Sequence, residues 1–234
     1  METSFADRRK IILSADDFGM SAKANDRILE LASLGKIDRV AVMIGIDRNF
    51  TQNEVASLMR SGIKMDIHLD LPGFNDDGKH TGILSRTIIF VYLRLTGKIA
   101  KEEINLSWKK QVELFKSRFG RYPDGINSHE HVHFFPSYFK IARDLQNEFN
   151  IPFIRLGKKD VLHFRDSRHL ILRFMRHLIS RNTDLQNIIS SDHMVSLDWI
   201  SDIEKFANNL PEGTTEIICH PERDDEYKAI LKWF

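Results

Sequence analysis

The sequence predicts an α/β fold: an irregular (β/α) barrel of about seven mostly parallel strands, forming a single domain over residues 1–234. Three observations point to it. Short β-rich apolar runs alternate with segments of helical period, the pattern of parallel strands joined by crossover helices. Reactive polar residues follow those runs, as they do at the C-terminal ends of barrel strands. No internal repeat, low-complexity tract or Ser/Gly linker divides the chain.

The first run, Lys10 to Ala15, has strand length, and Ser21 then offers an N-cap to a helix whose Ile28, Leu31 and Leu34 share one face before Gly35. Val40 to Ile44 is a second strand. Thr51-Gln-Asn-Glu54 has capping-box spacing and opens a helix that stops near Gly62. Lys64 to Leu69 reads as the third strand, followed by a long excursion through Pro72, Gly73, Gly78 and Gly82. The next helix, Lys101 to Phe119, aligns Ile104, Trp108, Val112 and Phe115 and ends at Gly120. Gly125 to Ser128 is a short fourth strand, Pro136 suits the first turn of a helix reaching Phe149, and Phe153 to Leu156 is the fifth strand. A helix over Asp166 to Arg181, a strand near Ile188, a helix over Asp198 to Asn209 and a strand over Thr215 to Cys219 continue the alternation.

With 42% apolar and 29% charged residues the composition is that of an ordinary globular domain. The 34 Lys and Arg nearly balance the 33 Asp and Glu, so no net field draws in nucleic acid or an anionic membrane, and the expected partner is a small or neutral molecule. Cys219 is the sole cysteine, which excludes an internal disulfide framework and a Cys-rich zinc site; it reads as a buried strand residue. Met1 to Lys10 is polar, without the apolar core of a secretion signal, so a cytoplasmic location is expected. The greasiest stretch, Thr87 to Leu95, falls short of the about 20 apolar residues that cross a bilayer and reads as a lid or a contact in a homo-oligomer.

The chemistry gathers where the apolar runs end. The first strand runs into Asp16-Asp17, the third ends at His68, the fourth leads into Asn127-Ser-His-Glu-His-Val-His133, the fifth carries Arg155, the weak sixth leads to Asp192 and His193, and the last ends at His220. Taken singly, each has an ordinary structural reading: Asp-Asp caps a helix, and a lone histidine sits in a core. The triple His129, His131 and His133 is more telling, because i, i+2, i+4 spacing places all three on one face of a strand. One carboxylate and two imidazoles make a facial ligand set that leaves positions for water and substrate. A divalent ion held there polarises a carbonyl and lowers the pKa of water from 15.7 toward ~7. A second carboxylate can take the proton of the attacking water, and a nearby imidazolium can protonate a leaving amine. Asp16, Asp17, His68, His129 and His220 supply residues for all of these roles.

Ser14-Ala-Asp-Asp-Phe-Gly-Met-Ser21, His68-Leu69, the Asn127 to His133 cluster with Pro136, and Ile218-Cys-His-Pro221 resemble, in order and separation, the YdjC-like family of carbohydrate deacetylases. The resemblance spans Ile11 to Pro221 and implies a distorted β/α barrel that hydrolyses the acetamide of an N-acetylated sugar, with magnesium as the expected ion and zinc the alternative. Carried over by motif, Asp17, His68 and His129 resemble the metal ligands, Asp16 the general base, Arg155 the residue that orients it, and His220 the general acid. Asn127, His131, His133 and His193 are expected to support the ligands or touch substrate.

Three departures from the family pattern stand out. Asn127 replaces the usual Asp, exchanging a carboxylate behind a ligand for a neutral amide. Asp66 stands near a position where Gly is common, and Asp70-Leu-Pro72 alters the following loop. The sequence given ends at Phe234, soon after His220, where relatives continue with another helix, so a less completely closed barrel is expected. Two other functions remain open at this point: a metal-dependent phosphoesterase, and a catalytically silent sugar-binding protein. Phe18, Phe74, Phe134, Phe135 and Tyr138 are candidates for stacking on a sugar ring.

Overall fold

The structure is a computed structural model in which residues 10–45, 50–71, 101–162 and 168–234 are described. The expected lid or oligomer segment Thr87 to Leu95, the glycine-rich excursion with Phe74, and the N-terminus before Lys10 lie outside them.

Strands β1 (Ile11–Phe18), β2 (Arg39–Val42), β3 (Lys64–Leu69), β4 (Gly125–Ser128), β5 (Phe153–Ile154), β6 (Asp160–Val161), β7 (His193–Ser196) and β8 (Thr215–Cys219) form one parallel sheet. Its order is β5-β4-β3-β2-β1-β8-β7-β6, the curved α/β arrangement the alternation predicts. The two ends, β5 and β6, belong to one stretch of chain. Lys158 N–H donates to Ser191 C=O (2.9 Å) and Lys159 N–H to Asp192 C=O (2.7 Å), so that stretch leaves β4 and joins the β7 side. The expected fifth strand, Phe153 to Leu156, ends at Ile154 and a separate short strand, β6, follows it, so the described residues hold eight strands instead of about seven and the barrel is irregular.

Among the described residues six α-helices lie between strands, α1 (Ala22–Ser33), α2 (Gln52–Arg60), α3 (Lys101–Phe119), α4 (Pro136–Glu148), α5 (Arg168–Asn182) and α6 (Ile203–Asn208), and a seventh, α7 (Asp224–Trp233), follows β8. The expected caps form. Ser21 Oγ accepts the Ala24 N–H at 3.1 Å, and Thr51 and Glu54 complete a reciprocal capping box. The apolar stripe of α3 is fully buried, and Trp108 meets Tyr138 of α4 edge-on at 5.9 Å. No helix among the described residues is long and apolar enough to cross a membrane.

Three expectations about elements need correction. The strand expected near Ile188 begins instead at His193, because Ile189 to Asp192 face the broken stretch through Ile154, Lys158 and Lys159 rather than a regular partner. The helix expected from Asp198 is a short 3-10 turn, Leu197–Trp199, and the α-helix starts only after Asp202, whose carboxylate caps the Lys205 N–H at 2.9 Å. The segment after His220 carries α7, which the alternation did not mark.

Apolar residues such as Leu13, Val40, Ile67, Ile126 and Ile217 are buried beneath the helices, whereas charged residues meet across the barrel. Arg155 on the stretch after β5 reaches Asp16 of β1 and Glu216 of β8, strands that are not its neighbours. Arg39 donates to Asp66 (Nε to Oδ2, 2.9 Å) under the Phe153 ring, which explains the unusual Asp66: it neutralises a buried guanidinium. Gly125 faces this pair, and a Cβ there would lie 2.5 Å from Asp66 Oδ1.

Candidate active site

The C-terminal ends of β1, β3 and β4 bring the expected ligands together. In a regular strand Asp16 and Asp17 would point to opposite faces. Here the β1–β2 register shifts between Ala15 and Phe18, and Asp17 takes φ 72°, so the bulge turns both carboxylates to the same side. Gly19, at φ 95°, completes the turn; a Cβ there would lie 2.9 Å from the Met43 carbonyl oxygen, and the Gly19 N–H donates to Asn25 Oδ1 at 2.7 Å.

Donor atoms of Asp17, His68 and His129 all lie within 4.8 Å of one another. His68 Nε2 is 3.3 Å and His129 Nδ1 3.0 Å from the same oxygen, Asp17 Oδ1. His68 Nδ1 and Asn127 Oδ1 are 2.5 Å apart; an amide oxygen only accepts, so the ring donates from Nδ1 and turns Nε2 toward Asp17. The donor set therefore fits a divalent cation. Burial pulls the His129 imidazolium down, but Asp17 outweighs it and raises the pKa to about 9; burial pushes the Asp17 carboxyl up, and His129 with His68 holds it well below the ordinary range.

Beside this cluster Asp16 is gripped by Arg155, with Nη1 to Oδ2 at 2.7 Å and Nη2 to Oδ1 at 2.8 Å. Burial raises the Asp16 pKa and the guanidinium overrides it, leaving it at about 2. Both oxygens are occupied by Arg155, and the cap of α1 is Ser21, so the helix-capping reading of Asp16 is set aside. Arg155 Nε in turn donates to Glu216 Oε1 (2.8 Å), which also accepts from Ser14 Oγ (2.8 Å).

His220 ends β8, with its Nδ1 3.6 Å from Glu226 Oε2 on α7; the same carboxylate oxygen accepts the His220 N–H at 2.8 Å. Burial lowers the His220 pKa, but Glu226 and then Asp17 raise it above the ordinary value. Arg223 Nη1 donates to the other Glu226 oxygen at 2.8 Å.

The histidine cluster departs from the expected strand face. Residues His129–Phe134 form 3-10 turns, and Glu130 and His131 adopt left-handed backbone angles, so the three rings separate. His129 joins the ligand cluster. His133 is fully buried: its Nε2 donates to the Arg155 carbonyl at 2.9 Å, and its Nδ1 accepts from Ser128 Oγ at 2.7 Å, with burial pushing its pKa down to about 3. His131 Nδ1 is buried without a hydrogen-bond partner, in the field of Arg155, Asp16 and His220. His193 opens β7 at the N-terminal end, 3.3 Å from the Glu212 carbonyl; the candidate site lies at the opposite strand ends, so His193 is not part of it. Phe18, Phe134 and Tyr138 are core residues at 1% exposure or less, Phe135 packs on the same core, and none is an exposed platform for a sugar.

Glu216 and Glu226 escaped the sequence reading. For Glu216 a signal existed, a lone charge inside the apolar run Thr215 to Cys219, where an unpaired carboxylate is costly. Glu226 carried none, since its role depends on how α7 folds back.

Comparison with known proteins bears on this geometry. The profile of the YdjC-like protein family matches residues 10–232. A chitooligosaccharide deacetylase of Escherichia fergusonii is 26% identical, with 91% of this chain and 81% of that protein covered. A carbohydrate deacetylase of Clostridium beijerinckii is 25% identical over the same shares of the two chains. A crystal structure from Enterococcus faecalis V583 superposes with a TM-score of 0.60 at 19% identity, covering 99% of this chain and 84% of that one, a likeness of fold.

Proposed function

The chain belongs to the YdjC-like protein family, and from that premise we propose that it is a metal-dependent carbohydrate N-deacetylase, hydrolysing the acetamide of an N-acetylhexosamine unit. The observation that carries this reading is the convergence of Asp17, His68 and His129 beside the Arg155-clamped Asp16, with His220 close enough to feel both aspartates. The names of the curated relatives support the same substrate class.

Asp17, His68 and His129 would hold the ion, which when bound polarises the acetamide carbonyl and acidifies water. The family resemblance favours Mg2+, but two imidazoles and one carboxylate suit a borderline ion such as Zn2+, whereas Mg2+ prefers oxygen donors. On donor chemistry Zn2+ is the tighter ligand. Asp16, kept ionised by Arg155, accepts the proton of the attacking water at Oδ1 or Oδ2. His220, kept protonated by Glu226, gives its proton to the sugar nitrogen as the C–N bond breaks, so acetate and the free amine leave.

The test is acetate release from N-acetylated mono-, di- and oligosaccharides by protein stripped of metal and reloaded with Mg2+ or Zn2+. Ion-dependent acetate release is expected. Sugar binding without hydrolysis in every loaded form would make it a silent binding protein, and phosphate release from phosphorylated sugars without acetate release would make it a phosphoesterase.

A further inference from the structure

We infer that His131 is a further substrate-contacting residue, whose unpaired ring nitrogen hydrogen-bonds a hydroxyl of the sugar that carries the acetamide. The inference rests on the deacetylase reading above and adds a residue that discriminates sugars from other acetamides.

The backbone points to it first. Among the described residues four non-glycine positions have positive φ, and three of them, Asp17, Glu130 and His131, lie at the site; the fourth, Asn150, is a residue type that tolerates such a turn. Glu130 (φ 55°, ψ 21°) and His131 (φ 57°, ψ 29°) hold this conformation consecutively. Glycine or asparagine would adopt it at lower cost, so the chain stores strain here that a sequence chosen for stability alone would relieve. For Asp17 the strain has an evident use, since it turns the carboxylate into the ligand cluster.

The side chain points the same way. Its two neighbours of like kind are accounted for: His129 meets Asp17, and His133 meets Ser128 and the Arg155 carbonyl. His131 Nδ1 instead is buried with no partner, although its ring touches the edges of His133 and Phe134 at centroid distances of 6.4 and 6.0 Å. A buried polar atom without a partner calls for a ligand or water. The charged groups that act on the ring include Arg155, His133, Asp16 and His220, so it lies near both the proposed base and the proposed acid. An acetamide reaching from one to the other brings its sugar against His131. A hydroxyl both donates and accepts, so it satisfies the ring nitrogen in either tautomer.

The experiment uses the full chain loaded with Zn2+, with calorimetric binding of an N-acetylhexosamine disaccharide, acetate release from it, and hydrolysis of an activated acetate ester that has no ring hydroxyls. His131→Gly is expected to melt at a higher temperature than the parent, to keep its metal, to bind the disaccharide at least tenfold more weakly with a matching rise in KM, and to cleave the ester nearly as fast. His131→Asn, which tolerates the turn but is too short to reach, should behave alike and serves if the glycine variant does not fold. Unchanged disaccharide affinity in these variants, or a lower melting temperature with equal losses on both substrates, would overturn the inference. A parent that binds the disaccharide without releasing acetate sinks the deacetylase reading alone, whereas a parent that binds no N-acetylated sugar overturns both.

Discussion

His68 donates its Nδ1 hydrogen to Asn127 Oδ1 across 2.5 Å, so a neutral amide, not a carboxylate, stands behind this ring. The Asn127 Nδ2 is buried with no partner, so the amide serves only through its oxygen. A carboxylate there would raise the basicity of His68 Nε2 and remove the orphaned donor. Asn127→Asp is therefore expected to tighten metal binding by about tenfold, the lower end of the range for groups behind a ligand. Titration with Zn2+ against a competing chelator reads this directly, and weaker binding by the aspartate variant would refute the assigned role of Asn127.

His129, the third proposed ligand, is held toward its protonated form by Asp17. The pKa of His129 is raised to about 9 by Asp17 against an ordinary 6.5, so this pair contributes stability below pH 6.5 that is lost as pH rises through about 9. An ion must displace that proton. Metal binding at neutral pH should release close to one proton from His129, seen as a buffer-dependent heat, and affinity should fall as pH drops. His129→Ala should empty the site while circular dichroism stays native; full occupancy in that variant would remove His129 from the ligand set.

Asp16→Asn tests the base. Arg155 loses half of a buried bidentate pair but keeps Glu216, so some stability is lost, toward or below the ~3–5 kcal/mol typical of breaking a buried pair from one side. Turnover should fall ~10²-fold or more while metal content holds. Thermal melts, metal analysis and acetate release are measured together. A variant that melts lower yet turns over at a rate near the parent's would leave Asp16 as an anchor for Arg155 and nothing more.

The barrel and the clustering of Asp17, His68 and His129, the proposed ligands, were legible because both rest on short-range pattern. Apolar runs ending in Asp17, His68 and His129 locate strand ends wherever the strands pack. What pattern cannot supply is the backbone that aims the residues. Strict alternation would separate Asp16 from Asp17, and only the bulge with Asp17 at φ 72° unites them. Alternation likewise put three histidines on one face, and the left-handed turn at Glu130 and His131 sent them to three environments. A strand read from Ile188 puts His193 at its end, whereas β7 begins at His193, so that residue stands at the opposite edge from the site. Glu216 acts on Arg155 across 61 residues of sequence, and Glu226, although only six residues after His220, reaches it through the way α7 folds back onto the end of β8.

His220 and Glu226 carry the last prediction. The carboxylate lies 3.6 Å from Nδ1 and raises the imidazolium pKa against its burial, so His220 stays protonated to a higher pH than an isolated histidine would. As the proposed proton donor to the leaving nitrogen, it should make the rate fall as pH rises through that pKa. Glu226→Gln removes the negative charge and keeps an oxygen that can accept the His220 N–H, so the basic limb of the pH–rate profile should move to lower pH with little change in fold or metal content. His220→Ala should depress amide turnover ~10²-fold or more with metal retained. An activated acetate ester, whose leaving group departs without a proton, should be cleaved by His220→Ala almost as well as by the parent. Equal losses on amide and ester would reassign His220 to substrate binding or to stabilising the oxyanion. A basic limb that stays in place in Glu226→Gln would mean that it reports another group, and that the α7 carboxylate merely ties the end of β8 to its helix.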